Sequence, residues 1–199
     1  HVIQLMRLFK EGNIFMPVVY YYFVDDSIPK CIMGGRALMH GFPPDLYTIE
    51  SSEISDLQIF LQNTKLPFKE PSLQLALGNF NLGYRFYNVN LSFLSLMISL
   101  EALFNLSNTE LGYRISRSVA VLLGKDKEDS ARIFADVKNL YNKRSKFVHT
   151  GNSNTIEIED MLRLRDYVRK SIRKVREIGK SKQELLDMLN SSGFGEEPH

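Results

Sequence analysis

Cysteine is nearly absent from this chain: Cys31 stands alone in 199 residues, which excludes an internal disulfide and any zinc site built from a cysteine cluster. Histidine is almost as scarce. His1, His40, His149 and His199 are scattered, no two at metal-ligand spacing, so no metal or other cofactor is expected. No apolar run reaches the roughly 18 residues of a membrane span, and no signal peptide is recognisable. Those absences point to a reduced, cytoplasmic setting with no membrane partner. An excess of one charge is missing too. Twenty-five Lys and Arg stand against 23 Asp and Glu, a net charge of +2, so attraction to nucleic acid must come from local clustering. What remains, 44% hydrophobic and 24% charged, is the composition of an ordinary soluble globular protein. The length suits one domain with an extension, or two small domains. A start at His1 rather than Met fits a piece of a longer chain with a further domain.

The pattern changes near Pro67 and Pro71. Before them, residues 13–33 are rich in β-branched and aromatic side chains, which favours strand, and Gly34, Gly35, Gly41, Pro43 and Pro44 then break regular structure. Beyond them the three- and four-residue apolar period predicts helices over 72–87, up to 104, 113–123, 130–148, 156–178 and 182–189. Asn90 or Ser92 is the expected cap of the second of these. Short connections between such helices argue an up-and-down bundle. The expected fold is therefore mostly α: an extension over 1–68, α/β or strand-containing, a helical bundle over 69–190, and a flexible tail over 191–199.

Two charges stand out inside this apolar pattern. Ile133, Val137, Leu140, Phe147 and Val148 trace one helical face, and Arg144 falls near its middle. The helix ending at Phe104 is apolar nearly all round, with Glu101 its only charge. A carboxylate and a guanidinium in such positions suit each other best as a bidentate pair. That pair is either a clamp for the bundle or part of a site. His149 follows Arg144 by five residues, about 140° around an unbroken helix, so the two converge only if the helix turns near Val148 or if two chains meet. Gly151 is placed to end the helix.

A local basic cluster also appears. Between Arg163 and Lys182 nine Lys and Arg residues face only Asp166 and Glu177. With Leu164, Val168, Ile172 and Val175 as the buried stripe, Arg165, Arg169, Arg173 and Arg176 are expected to face solvent, either as RNA phosphate contacts or as a merely solvated surface. Tyr20 to Tyr22 are weaker candidates for base stacking, and His40 reads as a loop residue.

The stretch Tyr141-x-x-Arg144-Ser-Lys-Phe-Val-His149-Thr-Gly resembles the Arg-x(4–6)-His signature of the HEPN superfamily, in particular its Apea-like branch. The order of segments is similar as well: Leu-Glu-Ala-Leu-Phe at 100–104, then Tyr-Arg-Ile-Ser-Arg-Ser-Val-Ala-Val-Leu-Leu at 113–123, then the signature and a long helix. The likeness covers roughly residues 70 to 178. It implies a HEPN-like bundle and a metal-independent endoribonuclease, of a defence (anti-phage) or toxin type, that cleaves RNA as a homodimer. Arg144 and His149 would be catalytic, and Ser145, Lys146 and Glu101 would support them. Many members carry Asn, Asp or His directly after the arginine; here that position is Ser145. The residue types suit the chemistry. A histidine can move the 2′-OH proton near neutral pH, an arginine fork can hold the phosphate, and DNA lacks the nucleophile. Two other readings stay open: a catalytically inactive HEPN dimerisation module that binds RNA or protein, and an unrelated bundle whose Arg and His are structural.

Overall fold

A computed structural model describes residues 1–14, 21–25, 28–32, 47–86, 88–105, 109–151 and 156–196. Helices α3 to α8 carry the bundle: Pro71–Gly83, Val89–Phe104, Leu111–Leu123, Lys127–Thr150, Ile158–Ile178 and Lys182–Ser191. Their ends follow local chemistry. Pro71 opens α3, where a missing N–H costs nothing. Asn88, not Asn90 or Ser92, caps α4: its Oδ1 accepts from the amides of Asn90 and Leu91 at 2.9 and 3.2 Å. Asp126 caps α6 through the amide of Asp129 at 2.7 Å, and Glu157 with Asp160 forms a capping box on α7. Ser181 and Glu184 do the same for α8.

The helices pair as two hairpins, α3 with α4 and α5 with α6, and α7 packs across α4, α3 and α5. Phe80, Phe93, Leu96, Met97, Leu100, Val137, Leu140, Leu164, Val168 and Ile172 are fully enclosed at the centre. The serines of α4 are buried because they donate to neighbouring backbone: Ser95 Oγ to the Asn79 carbonyl at 2.9 Å and Ser99 Oγ to that of Ala76 at 2.7 Å. One strip of α4 escapes the core. Leu91 is 46% and Ile98 42% exposed, so this nearly all-apolar helix is not enclosed on every side.

The N-terminal extension, expected to be α/β or strand-containing, makes its contacts to the bundle through helices, and its strand-rich reading is corrected in the main. Tyr21–Asp25 (β1) and Ile28–Ile32 (β2) form an antiparallel ribbon, Tyr21 opposite Ile32. The helices, whose positions the sequence pattern does not indicate, are α1 (Val2–Phe9) and α2 (Ile54–Asn63), the latter preceded by a 3₁₀ turn at Ser51–Glu53. Leu5, Leu8 and Phe60 join the same core as the bundle. At the other end Phe194 rests on Phe134, ring centroids 5.8 Å apart, and so ties residues after α8 to α6.

Candidate functional site at the end of the sixth helix

Helix α6 has 24 residues, against 16 in α4 and 13 in α5. At about 1.5 Å per residue it outruns α4 by roughly 12 Å. Its last turns therefore leave the core: the burial of Ile133, Val137 and Leu140 gives way to a half-buried Phe147 and a Val148 that is 50% exposed. Val148 does not belong to the buried face, contrary to expectation. The helix also does not break there. It continues through His149 to Thr150 and ends at Gly151, whose φ of 65° few other residues adopt and whose amide bonds the Phe147 carbonyl at 2.9 Å. Within one chain Arg144 and His149 consequently point about 140° apart.

Arg144 does meet Glu101. Nη2 lies 3.1 Å from Oε1, with the two side chains 26% and 19% exposed. The expected bidentate fork is absent: this is a single charge contact, and Glu101 Oε1 receives no well-aligned hydrogen. Burial raises the Glu101 pKa and outweighs the lowering by Arg144. The ring of Tyr141 lies beneath the guanidinium, 5.7 Å from Cζ to the ring centroid, and burial followed by the Glu101 charge raises its phenol pKa. Ser145 is half-buried, while Lys146 and His149 are exposed.

Behind this group lies a brace that was not foreseen. Asp160, 2% exposed, accepts from Lys143 Nζ at 2.6 Å, from Arg163 Nη2 at 2.8 Å and from the Glu157 amide at 3.0 Å. Burial alone would raise its pKa, but these donors prevail and hold it below the usual carboxylate range. The Glu157-x-x-Asp160 spacing at a helix start was the available signal for the cap. Nothing local announced Lys143 as its partner.

The basic face of α7 is corrected more sharply. Arg165 and Arg169 are buried, 6% and 8% exposed, and Arg173 and Arg176 are half-buried. The reason is that groups from α1, α2 and the end of α3 lie against Arg165, Arg173 and Arg176. Arg165 lies 4.7 Å over the Tyr84 ring, which Arg7 of α1 also approaches at 4.4 Å. Arg173 donates to the Phe9 carbonyl at 2.7 Å and, with Arg176, lies over the Phe60 ring at 5.4 and 5.3 Å. Arg176 also donates to Thr64 Oγ1, and Arg169 to Asp166. Desolvation lowers the pKa of Arg173, and that of Arg7 to about 10. The cations left outside, Arg163, Lys170 and Lys174, edge a cleft of about 1380 Å³ between α6 and α7, where Asp129, Asp136 and Asp166 balance them. His40 and Tyr20 lie outside the described residues.

Among the described residues, no group of three or more His, Cys, Asp or Glu is placed to hold a metal ion, and no helix is long and apolar enough to cross a membrane. Comparison with protein-family models, curated proteins and solved structures gives no match.

Proposed function

We propose that this protein is a HEPN-like, metal-independent endoribonuclease that works as a homodimer and belongs to the defence or toxin type. The observation that supports this reading is the end of α6. It carries an arginine held by one carboxylate contact and, five residues on, an exposed imidazole. A single contact to Glu101 leaves most of the five guanidinium donors of Arg144 for a phosphate. Exposed apolar side chains stand one turn from each partner, Ile98 before Glu101 and Val148 after Arg144, and a second copy is the occupant proposed for them. A twofold axis through this end of the bundle would put the His149 of one chain beside the Arg144 of the other.

In that arrangement one His149 takes the proton of a ribose 2′-OH while the oxygen attacks the adjacent phosphorus. The bond from phosphorus to the 5′-oxygen breaks, and the other His149 protonates that leaving group. Arg144 stabilises the charge gathered on the phosphoryl oxygens. The products are a 2′,3′-cyclic phosphate and a 5′-hydroxyl. Incubation of purified protein with RNA in excess EDTA is the test. Cleavage should persist, end in cyclic phosphate and fail at a 2′-deoxy position; dependence on added metal would refute it. The 140° separation within one chain favours a second reading, an inactive dimerisation and binding module. RNA binding without cleavage would select that one.

A further inference from the structure

Residues eleven apart on a helix differ by only about 20° in direction, so Lys138, Ser145 and His149 share one face of α6. The far end of this face carries an aromatic cluster outside the site described above. Tyr113, in the first turn of α5, is 47% exposed. Its ring meets Phe134 edge to face, with centroids 5.6 Å apart and planes at 74°. The ammonium of Lys138 lies 5.6 Å from the centroid of each ring. Phe194 backs Phe134, so the cluster is fixed from behind. Between it and His149 comes Tyr141 with its Arg144 guanidinium. The helices can run this close because of Gly112: a Cβ there would come within 2.7 Å of the Tyr141 ring.

An exposed ring with a cation beside it offers a face for a planar base and a charge for the phosphate next to it, the combination that holds single-stranded nucleic acid. A duplex keeps its bases stacked on each other and gains nothing from such a ring. The charge along this stretch favours a polyanion, since residues 138–149 carry Lys138, Lys143, Arg144 and Lys146 and no Asp or Glu. We infer that Tyr113 and Lys138 form a stacking platform for single-stranded RNA, whose chain continues along α6 to His149. The rise from Lys138 to His149 is about 16 Å. The direction toward His149 rests on the ribonuclease reading; the platform does not.

Fluorescence anisotropy with a labelled 2′-O-methyl oligonucleotide of roughly ten nucleotides, which has no nucleophilic hydroxyl, tests the platform directly. Tyr113→Ala should weaken binding roughly 5- to 100-fold, because one stacked base is lost. Tyr113→Phe, which keeps the ring, should bind like the wild type. Lys138→Gln should weaken binding less and reduce the salt slope by about one ion. Wild-type affinity in Tyr113→Ala, preference for a duplex of the same sequence, or no binding by the wild type would each overturn the inference. Cleavage of unmodified RNA, followed in parallel, separates the two readings. Cleavage with Tyr113-independent binding sinks the platform alone, and Tyr113-dependent binding without cleavage sinks the ribonuclease alone.

Discussion

Arginines on two neighbouring helices meet opposite fates. On α7, Arg165, Arg169, Arg173 and Arg176 come from a sequence that reads as a solvent-facing basic surface, yet Arg165 stacks on Tyr84, Arg173 and Arg176 stack on Phe60, and the buried Arg169 pairs with Asp166. On α6, Arg144 sits in what reads as the middle of a buried stripe, yet it keeps a quarter of its side chain open because the helix outruns its neighbours. An arginine tolerates burial when aromatic faces and carbonyls replace its water, here Tyr84 at the end of α3, Phe60 of α2 and the Phe9 carbonyl of α1. The comparison teaches that helical periodicity reports what a face is made of, and that the lengths and partners of the surrounding elements decide what covers it.

The strongest way to break this contrast is chemical. His149→Ala should lose on the order of 10²–10⁴-fold in RNA cleavage while its circular dichroism and melting temperature stay at wild-type values. Full cleavage by the purified variant would remove α6 from the active site. Next comes Arg165→Ala, which should cost about 2–4 kcal/mol in urea unfolding with little effect on RNA affinity in the protein that remains folded. Arg163→Ala is the milder counterpart: the side chain is 49% exposed, and the buried Asp160 it bonds keeps its donors Lys143 and the Glu157 amide, so the loss should be about 1 kcal/mol. If Arg165→Ala instead weakens RNA binding and leaves unfolding unchanged, α7 is a binding face after all.

Two carboxylates sharpen the comparison through pH. Asp160, with its lowered pKa, contributes stability that is present above the ordinary carboxylate range and lost as pH falls through it. Asp160→Asn should therefore cost roughly 2 kcal/mol near neutrality, a deficit that shrinks in acid. Glu101 has the opposite sign. Its raised pKa means the folded state favours the protonated form, so its contribution is present at low pH and is lost as pH rises through its folded-state value. Glu101→Gln should accordingly change stability by less than about 1 kcal/mol at neutral pH and match the wild type in acid. Chemical denaturation of both variants across the carboxylate range should give slopes of opposite sign relative to wild type. A large loss in Glu101→Gln at neutral pH would mean that the contact with Arg144 is worth more than its single-point geometry suggests.

Much of the bundle was legible because helix signals are local. The apolar spacing of 72–87 and 130–148 and the Gly151 stop are read from neighbouring residues, and α3 and α6 lie where those signals put them. Pairing of Glu101 with Arg144 was legible for a related reason, since each is the isolated charge of an apolar face. The single-point character of that contact was not, because it depends on how two helix axes approach. Helices α1 and α2 were missed: α1 is only eight residues long and α2 ten, too short for periodicity to stand out, and they rest on tertiary contacts, α1 with α7 and α2 with α1 and, through Phe60, with two arginines of α7. Lys143 with Asp160, and Tyr113 with Lys138, join residues far apart in the chain, which no spacing rule connects.

By itself, the sequence determined the mostly helical character, the helix stop at Gly151, the lack of a disulfide framework, and the presence of Arg144 and His149 five residues apart on one helix. Each follows from side-chain chemistry acting over a few residues. Only the tertiary structure decided that α6 runs unbroken past His149, that Arg165, Arg173 and Arg176 of α7 turn toward Tyr84 and Phe60, and that Tyr113 stands beside Lys138. Those outcomes depend on which surfaces cover which, and that is set by the balance of burial and desolvation over the whole chain.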